Sequence, residues 1–89
     1  MIKYKVKVRA YNYFMGLPCE PTFEVNLYEQ EWALGVCFRD EHIIAHSENR
    51  DFFKCVEEIN DYIIGNKLNL ENISFPDIYR HLKPVKYIS

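Results

Sequence analysis

Residues 2–14 alternate without a break. Ile2, Tyr4, Val6, Val8, Ala10 and Phe14 fall on one side of an extended chain, and Lys3, Lys5, Lys7, Arg9, Tyr11 and Tyr13 on the other. A two-residue period of this length excludes a helix, whose apolar positions recur every three or four residues. It fits a strand with one buried and one wet face. The chain must therefore build a sheet around this segment and supply an apolar cover for one side of it.

Gly16-Leu17-Pro18-Cys19-Glu20-Pro21 interrupts the pattern, because proline lacks a donor and glycine permits positive φ. Phe23, Val25 and Leu27 then alternate with Glu24, Asn26 and Tyr28, which predicts a second strand and a hairpin. Setting Phe14 opposite Phe23 brings Tyr13 beside Glu24 and Arg9 beside Tyr28. Residues 32–38 and 42–46 predict a second hairpin turning at Asp40-Glu41. One of its faces carries Trp32, Leu34, Val36, Phe38, Ile43 and Ala45, and the other Ala33, Gly35, Cys37, Ile44 and His46.

A helix follows. Asn49 is the expected N-cap, with Asp51 adding negative charge to the first turn. Phe52, Val56, Ile59 and Ile63 recur at helical spacing, Arg50, Lys54, Glu57, Glu58 and Asp61 lie on the far side, and Gly65-Asn66 ends the element. Phe53 and Ile64 flank the apolar arc, where they would cover a second helix. That short helix is expected over residues 75–82, opened by Ser74-Phe75-Pro76-Asp77. Val85-Lys86-Tyr87-Ile88 leave an edge strand open. The expected fold is α+β: a four-stranded antiparallel sheet in two hairpins, one long helix packed on one face and a short C-terminal helix, all in one domain over residues 1–89. The core pairs Phe52, Val56, Ile59 and Ile63 with Val6, Val8, Val25, Leu34 and Val36. Ferredoxin-like order is disfavoured, since no helix separates the first two strands.

Composition narrows the function classes. Hydrophobic residues make up 48% of 89 and aromatics 16%, too many for a disordered chain. No apolar run is long enough to cross a bilayer, and the N-terminus lacks a signal-peptide core, so a cytoplasmic domain without membrane contact is expected. A net charge of −2 implies neither a strongly basic binder nor a polyanion mimic. Cys19, Cys37 and Cys55 are odd in number and contain no CxxC pair, which argues for reduced thiols rather than a disulfide framework or zinc module. Gly16, Gly35 and Gly65 make no phosphate-binding loop.

Five features are candidates for function. The comb Lys3, Lys5, Lys7, Arg9, Tyr11, Tyr13 offers cations for phosphates and rings for bases, as single-stranded nucleic-acid platforms do. Its bland counterpart is a solubilising face on an edge strand. The small face Ala33, Gly35, Cys37, Ile44, His46 would let another surface approach closely, for a partner or a homodimer through a sheet face or edge. The acidic strip Asp51, Glu57, Glu58, Asp61 suits a basic partner. His42 and His46, four apart on one strand, would need His81 or Cys37 to reach a metal ligand count, so no metal or cofactor is expected. Cys37 with His46 is the sole conceivable nucleophile–base pair and lacks an orienting group, so no catalytic site is expected.

Two hairpins followed by helices in so short a chain resemble, in architecture alone, some small phage-encoded anti-defence inhibitors. The resemblance implies an inhibitor and a viral source and assigns no residue. The leading expectation is a protein-binding module, an inhibitor or adaptor acting by surface docking. The alternative is a single-stranded nucleic-acid binder using the first-strand comb.

Overall fold

The computed structural model describes residues 1–84, with every side chain except those of Tyr13, Phe14, Cys19, Cys37, Phe38 and Arg39. Three long strands, β1 (Ile2–Phe14), β2 (Leu17–Ala33) and β3 (Val36–Asn49), form an antiparallel meander. The helix α1 (Phe52–Gly65) crosses back over it. A two-residue strand, β4 (Ile73–Ser74), then joins the free side of β1 in parallel, giving the order β3-β2-β1-β4. The α+β class and four-strand count hold, and the sheet is mixed rather than purely antiparallel.

The strand boundaries differ from the sequence expectation for a local reason. Glu29-Gln30-Glu31 contains no residue that ends a strand, so β2 runs through it for 17 residues. The second hairpin turns earlier, at Leu34 (φ 54) and Gly35 (φ 77), and Asp40-Glu41 lies inside β3. The first hairpin turns at Met15 (φ 53) and Gly16 (φ 79). Two successive positive φ values mark the tight turns that match the twist of paired strands. The β1–β2 register is displaced too: Arg9 faces Glu24, not Tyr28. The displacement spans four residues, an even number, so the apolar and charged faces survive it.

Helix length decides where the core sits. At 1.5 Å per residue α1 spans about 21 Å, whereas 13-residue β1 spans about 43 Å. The helix therefore covers only the middle of the sheet. There Val6, Val25 and Leu27 pack against Cys55, Val56, Ile59 and Ile63, with Ile73 and Tyr79 closing one side. Leu34 and Val36, expected in this core, lie at the far hairpin tip, where Leu34 is fully exposed. Tyr79 and Ile73 enter from the C-terminal segment in their place.

The chain after α1 is less regular than expected. Asp51, not Asn49, is the N-cap, its carboxylate accepting from the Phe53 N–H at 3.0 Å, while Asn49 accepts from the Asp51 N–H at 2.9 Å. The short helix over 75–82 contracts to a 3-10 turn, Asp77–Tyr79. It is held by the Leu82 N–H to Tyr79 carbonyl bond of 2.9 Å and by Asn60, whose amide donates to the Leu82 carbonyl at 2.6 Å. The edge strand considered for residues 85–88 lies outside the described residues.

Candidate functional site

Alternation along β1 and β2 sends two sets of side chains away from α1, onto an open sheet face. From β1 come Lys3, Lys5, Lys7, Arg9 and Tyr11, as expected; from β2 and β3 come the groups they meet. Lys7 donates to Glu41 at 2.8 Å, Lys5 approaches the other oxygen of the same carboxylate at 3.7 Å, and Arg9 lies 3.8 Å from Glu24. The Lys7 hydrogen bond holds the Glu41 carboxyl below its usual range and raises the Lys7 ammonium above its own. The rings are engaged as well: Lys3 lies 5.2 Å from the Trp32 ring centre, Lys7 4.6 Å from Tyr28 and Arg9 5.6 Å from Tyr11. Tyr11 also donates its hydroxyl to Glu48.

Three of the four cations thus meet two carboxylates, Glu41 and Glu24, while Glu48 takes the Tyr11 hydroxyl. The cations lie over rings on which bases would stack. A phosphate-binding row needs cations free to exchange small counterions for phosphates. Here protein carboxylates supply much of the neutralising charge. The Tyr13 side chain is outside the described residues.

The small face does not assemble. Ala33 and Gly35 lie at the exposed β2–β3 tip. Ile44 packs against the core, and His46 lies on the open face with its Nδ1 2.5 Å from Asn26. The cause is a β-bulge. Leu27 pairs with Ala45 and Tyr28 with Ile43, leaving Ile44 as the extra residue that breaks alternation. The same bulge separates the histidines: His42 pairs with Glu29 and His46 with Asn26, on opposite faces of β2. A joint His42–His46 site is thereby removed. Cys37 has no described side chain, so the Cys37–His46 pair lies outside the described contacts.

The acidic strip divides by role. Asp51 caps the helix, and Glu58 accepts from the buried Ser47 hydroxyl at 2.5 Å. Glu57 and Asp61 are exposed and have no ion-pair partner among the described residues. At 100° per residue they share the outer surface of α1 with Phe53 and Ile64. These two apolar side chains remain 65% and 44% exposed, and no second helix covers them among the described residues. An outward stripe of Phe53, Glu57, Asp61 and Ile64 results, bordered by exposed Lys54. In the sequence its apolar members flank the packing arc, at positions that would cover a second helix.

No family model matches the chain, and neither the curated proteins nor the solved structures contain a match to it. No helix is long and apolar enough to cross a membrane among the described residues.

Proposed function

We propose that the protein is a binding module that docks a partner protein through the outer face of α1. The observation that carries this reading is the exposure of Phe53 and Ile64 beside Glu57 and Asp61, two carboxylates without an ion-pair partner among the described residues. Large apolar side chains in water are ordinary singly. Two on one face, flanking unspent charge, have the composition of an interface. The complementary partner surface is apolar with basic groups at its edge, where desolvated Phe53 supplies anchoring area and the acids supply orientation. Docking of this kind serves an inhibitor or an adaptor and requires no catalytic group.

The nucleic-acid reading is weakened by the pairing of the comb with Glu24, Glu41 and Glu48. Self-association through the β3 edge is opposed by three register irregularities between β2 and β3 and by the charged residues along that edge, features that discourage strand addition.

The test is quantitative affinity capture with three versions of the chain. Phe53→Ala/Ile64→Ala should lose the partner while keeping its helical circular dichroism. Lys5→Glu/Lys7→Glu should retain both partner and fold. Loss of the partner with the second variant alone would shift the function to the sheet face. Binding of labelled single-stranded RNA or DNA that weakens steeply with salt would identify it as nucleic-acid recognition.

A further inference from the structure

On the open face, where β2 and β3 run side by side, Glu24, His46 and Glu48 bring one donor atom each to within 4.8 Å of one another. Glu24 and Glu48 are direct cross-strand partners, and His46 is opposite Asn26. Like charges placed opposite each other normally destabilise a strand pair. What sets this group apart from an acidic patch is the imidazole and the way it is held.

Asn26 is buried on the central strand. Its Nδ2 donates to Glu24 Oε1 at 3.0 Å, and because a carboxylate only accepts, the amide orientation is fixed with Oδ1 toward His46. That Oδ1 is 2.5 Å from His46 Nδ1 and also only accepts, so Nδ1 carries the ring proton. In the neutral ring the lone pair is then on Nε2, which lies 3.8 Å from Glu48 Oε2. One buried amide therefore orders a carboxylate and selects the imidazole tautomer. Metal-ligating histidines are held in this way by a carbonyl on their second nitrogen.

We propose that Glu24, His46 and Glu48 form a site for a divalent cation of the zinc class, with Asn26 as its positioning residue. One nitrogen and two carboxylate donors suit zinc better than magnesium or calcium, which favour all-oxygen sets. Zinc bonds of about 2.1 Å in tetrahedral array place ligand atoms about 3.4 Å apart. The exposed Glu48 carboxylate, 3.8 Å from His46 Nε2, can close to that spacing by side-chain rotation while Asn26 keeps the imidazole in place. Two contacts compete: Arg9 Nη2 at 3.8 Å from Glu24 Oε2, and the Tyr11 hydroxyl on Glu48 Oε1. Both belong to β1, and a bound cation would displace them while tying β2 to β3. Along the sequence His46 has only His42, His81 and Cys37 as evident co-ligands; Glu24 and Glu48 join it through the strand register alone.

The experiment is isothermal titration of the full reduced chain with zinc chloride near neutral pH, beside histidine-selective NMR. One saturable site per chain is expected, with the His46 Nε2 resonance shifted and Nδ1 remaining protonated. His46→Ala, an exposed substitution, should abolish that site. Glu24→Gln and Glu48→Gln should each weaken it, Asn26→Ala should weaken it about 10–100-fold, and His42→Ala should leave it intact. Absence of a saturable site, or zinc binding that survives His46→Ala because thiols hold it, would overturn the proposal. Equal binding of magnesium would also overturn it, since carboxylates alone would then account for the affinity.

Discussion

Asn60 and Tyr79 hold the C-terminal turns against the helix: the buried Tyr79 hydroxyl donates to Asn60 Oδ1 at 2.6 Å. A longer contact, 3.3 Å, joins the same hydroxyl to the Val56 carbonyl. Asn60 uses its amide hydrogens on the Leu82 carbonyl, so one side chain satisfies two points of the last described turn. Phe75 stacks on the Tyr79 ring with centres 5.1 Å apart. Tyr79→Phe keeps the packing but strands the Asn60 oxygen, and it is expected to cost about 1–3 kcal/mol in a urea midpoint. An unchanged midpoint would mean that water replaces the hydroxyl.

The same residue gives a pH signature. Burial pushes the Tyr79 hydroxyl far above the ordinary tyrosine value of 10.0. In the unfolded chain it ionises near that value, whereas in the fold it stays neutral. The stability linked to its neutral form is therefore complete below pH 10 and is lost as pH rises toward the folded value. Burial moves the Cys55 thiol upward from 9.0 in the same sense, so its loss begins about one pH unit earlier. Tyr79→Phe should show a shallower decline than the parent chain above pH 10 in thermal melts. Parallel curves would remove Tyr79 as a cause.

Each hairpin tip contains an improvable position. Leu34 and Met15 are both exposed and both have positive φ, a region that disfavours side chains other than Asn, Asp or Gly. Leu34→Asn and Met15→Asn should each stabilise the fold by about 0.5–1 kcal/mol, since no packing is lost at either tip. The sites are at separate turns and their effects should add in denaturation experiments. Destabilisation by either change would show that the tip makes contacts of its own.

These tips also explain which parts of the molecule were legible in the sequence. Alternation over 2–14 and 23–28 gave the faces of β1 and β2, because period two survives any even displacement of register. The helical spacing of Val56, Ile59 and Ile63 gave the inner face of α1. The turn at Leu34-Gly35 is hidden because leucine there imitates a core residue, and Asp40-Glu41 imitates a turn because acids favour loops. The bulge at Ile44 has no sequence signature here, yet it decides which faces His42 and His46 occupy. Pairing of the Lys5 and Lys7 charges with Glu41 depends on a register across three strands, which composition cannot supply. Phe53 and Ile64 read in the sequence as an apolar flank for a second helix; in the fold the segment expected to form it contains only the Asp77–Tyr79 turn, and both side chains stay exposed.

Ile59 tests the packing that underlies everything above. It is buried at the centre of the α1 inner face. Ile59→Ala should cost about 2–5 kcal/mol, a large share of the stability of a domain this size. A midpoint shift well under that range would place the centre of the core elsewhere along the helix.

Docking through the outer face of α1 is tested most directly by photo-crosslinking in the native cells. A photoreactive amino acid is placed at position 57 in one chain and at position 5 in another. Position 57 should yield a covalent adduct with a single protein species, abolished by adding Phe53→Ala/Ile64→Ala, and position 5 should yield none. Adducts formed only from position 5, or adducts with nucleic acid, would contradict docking through α1.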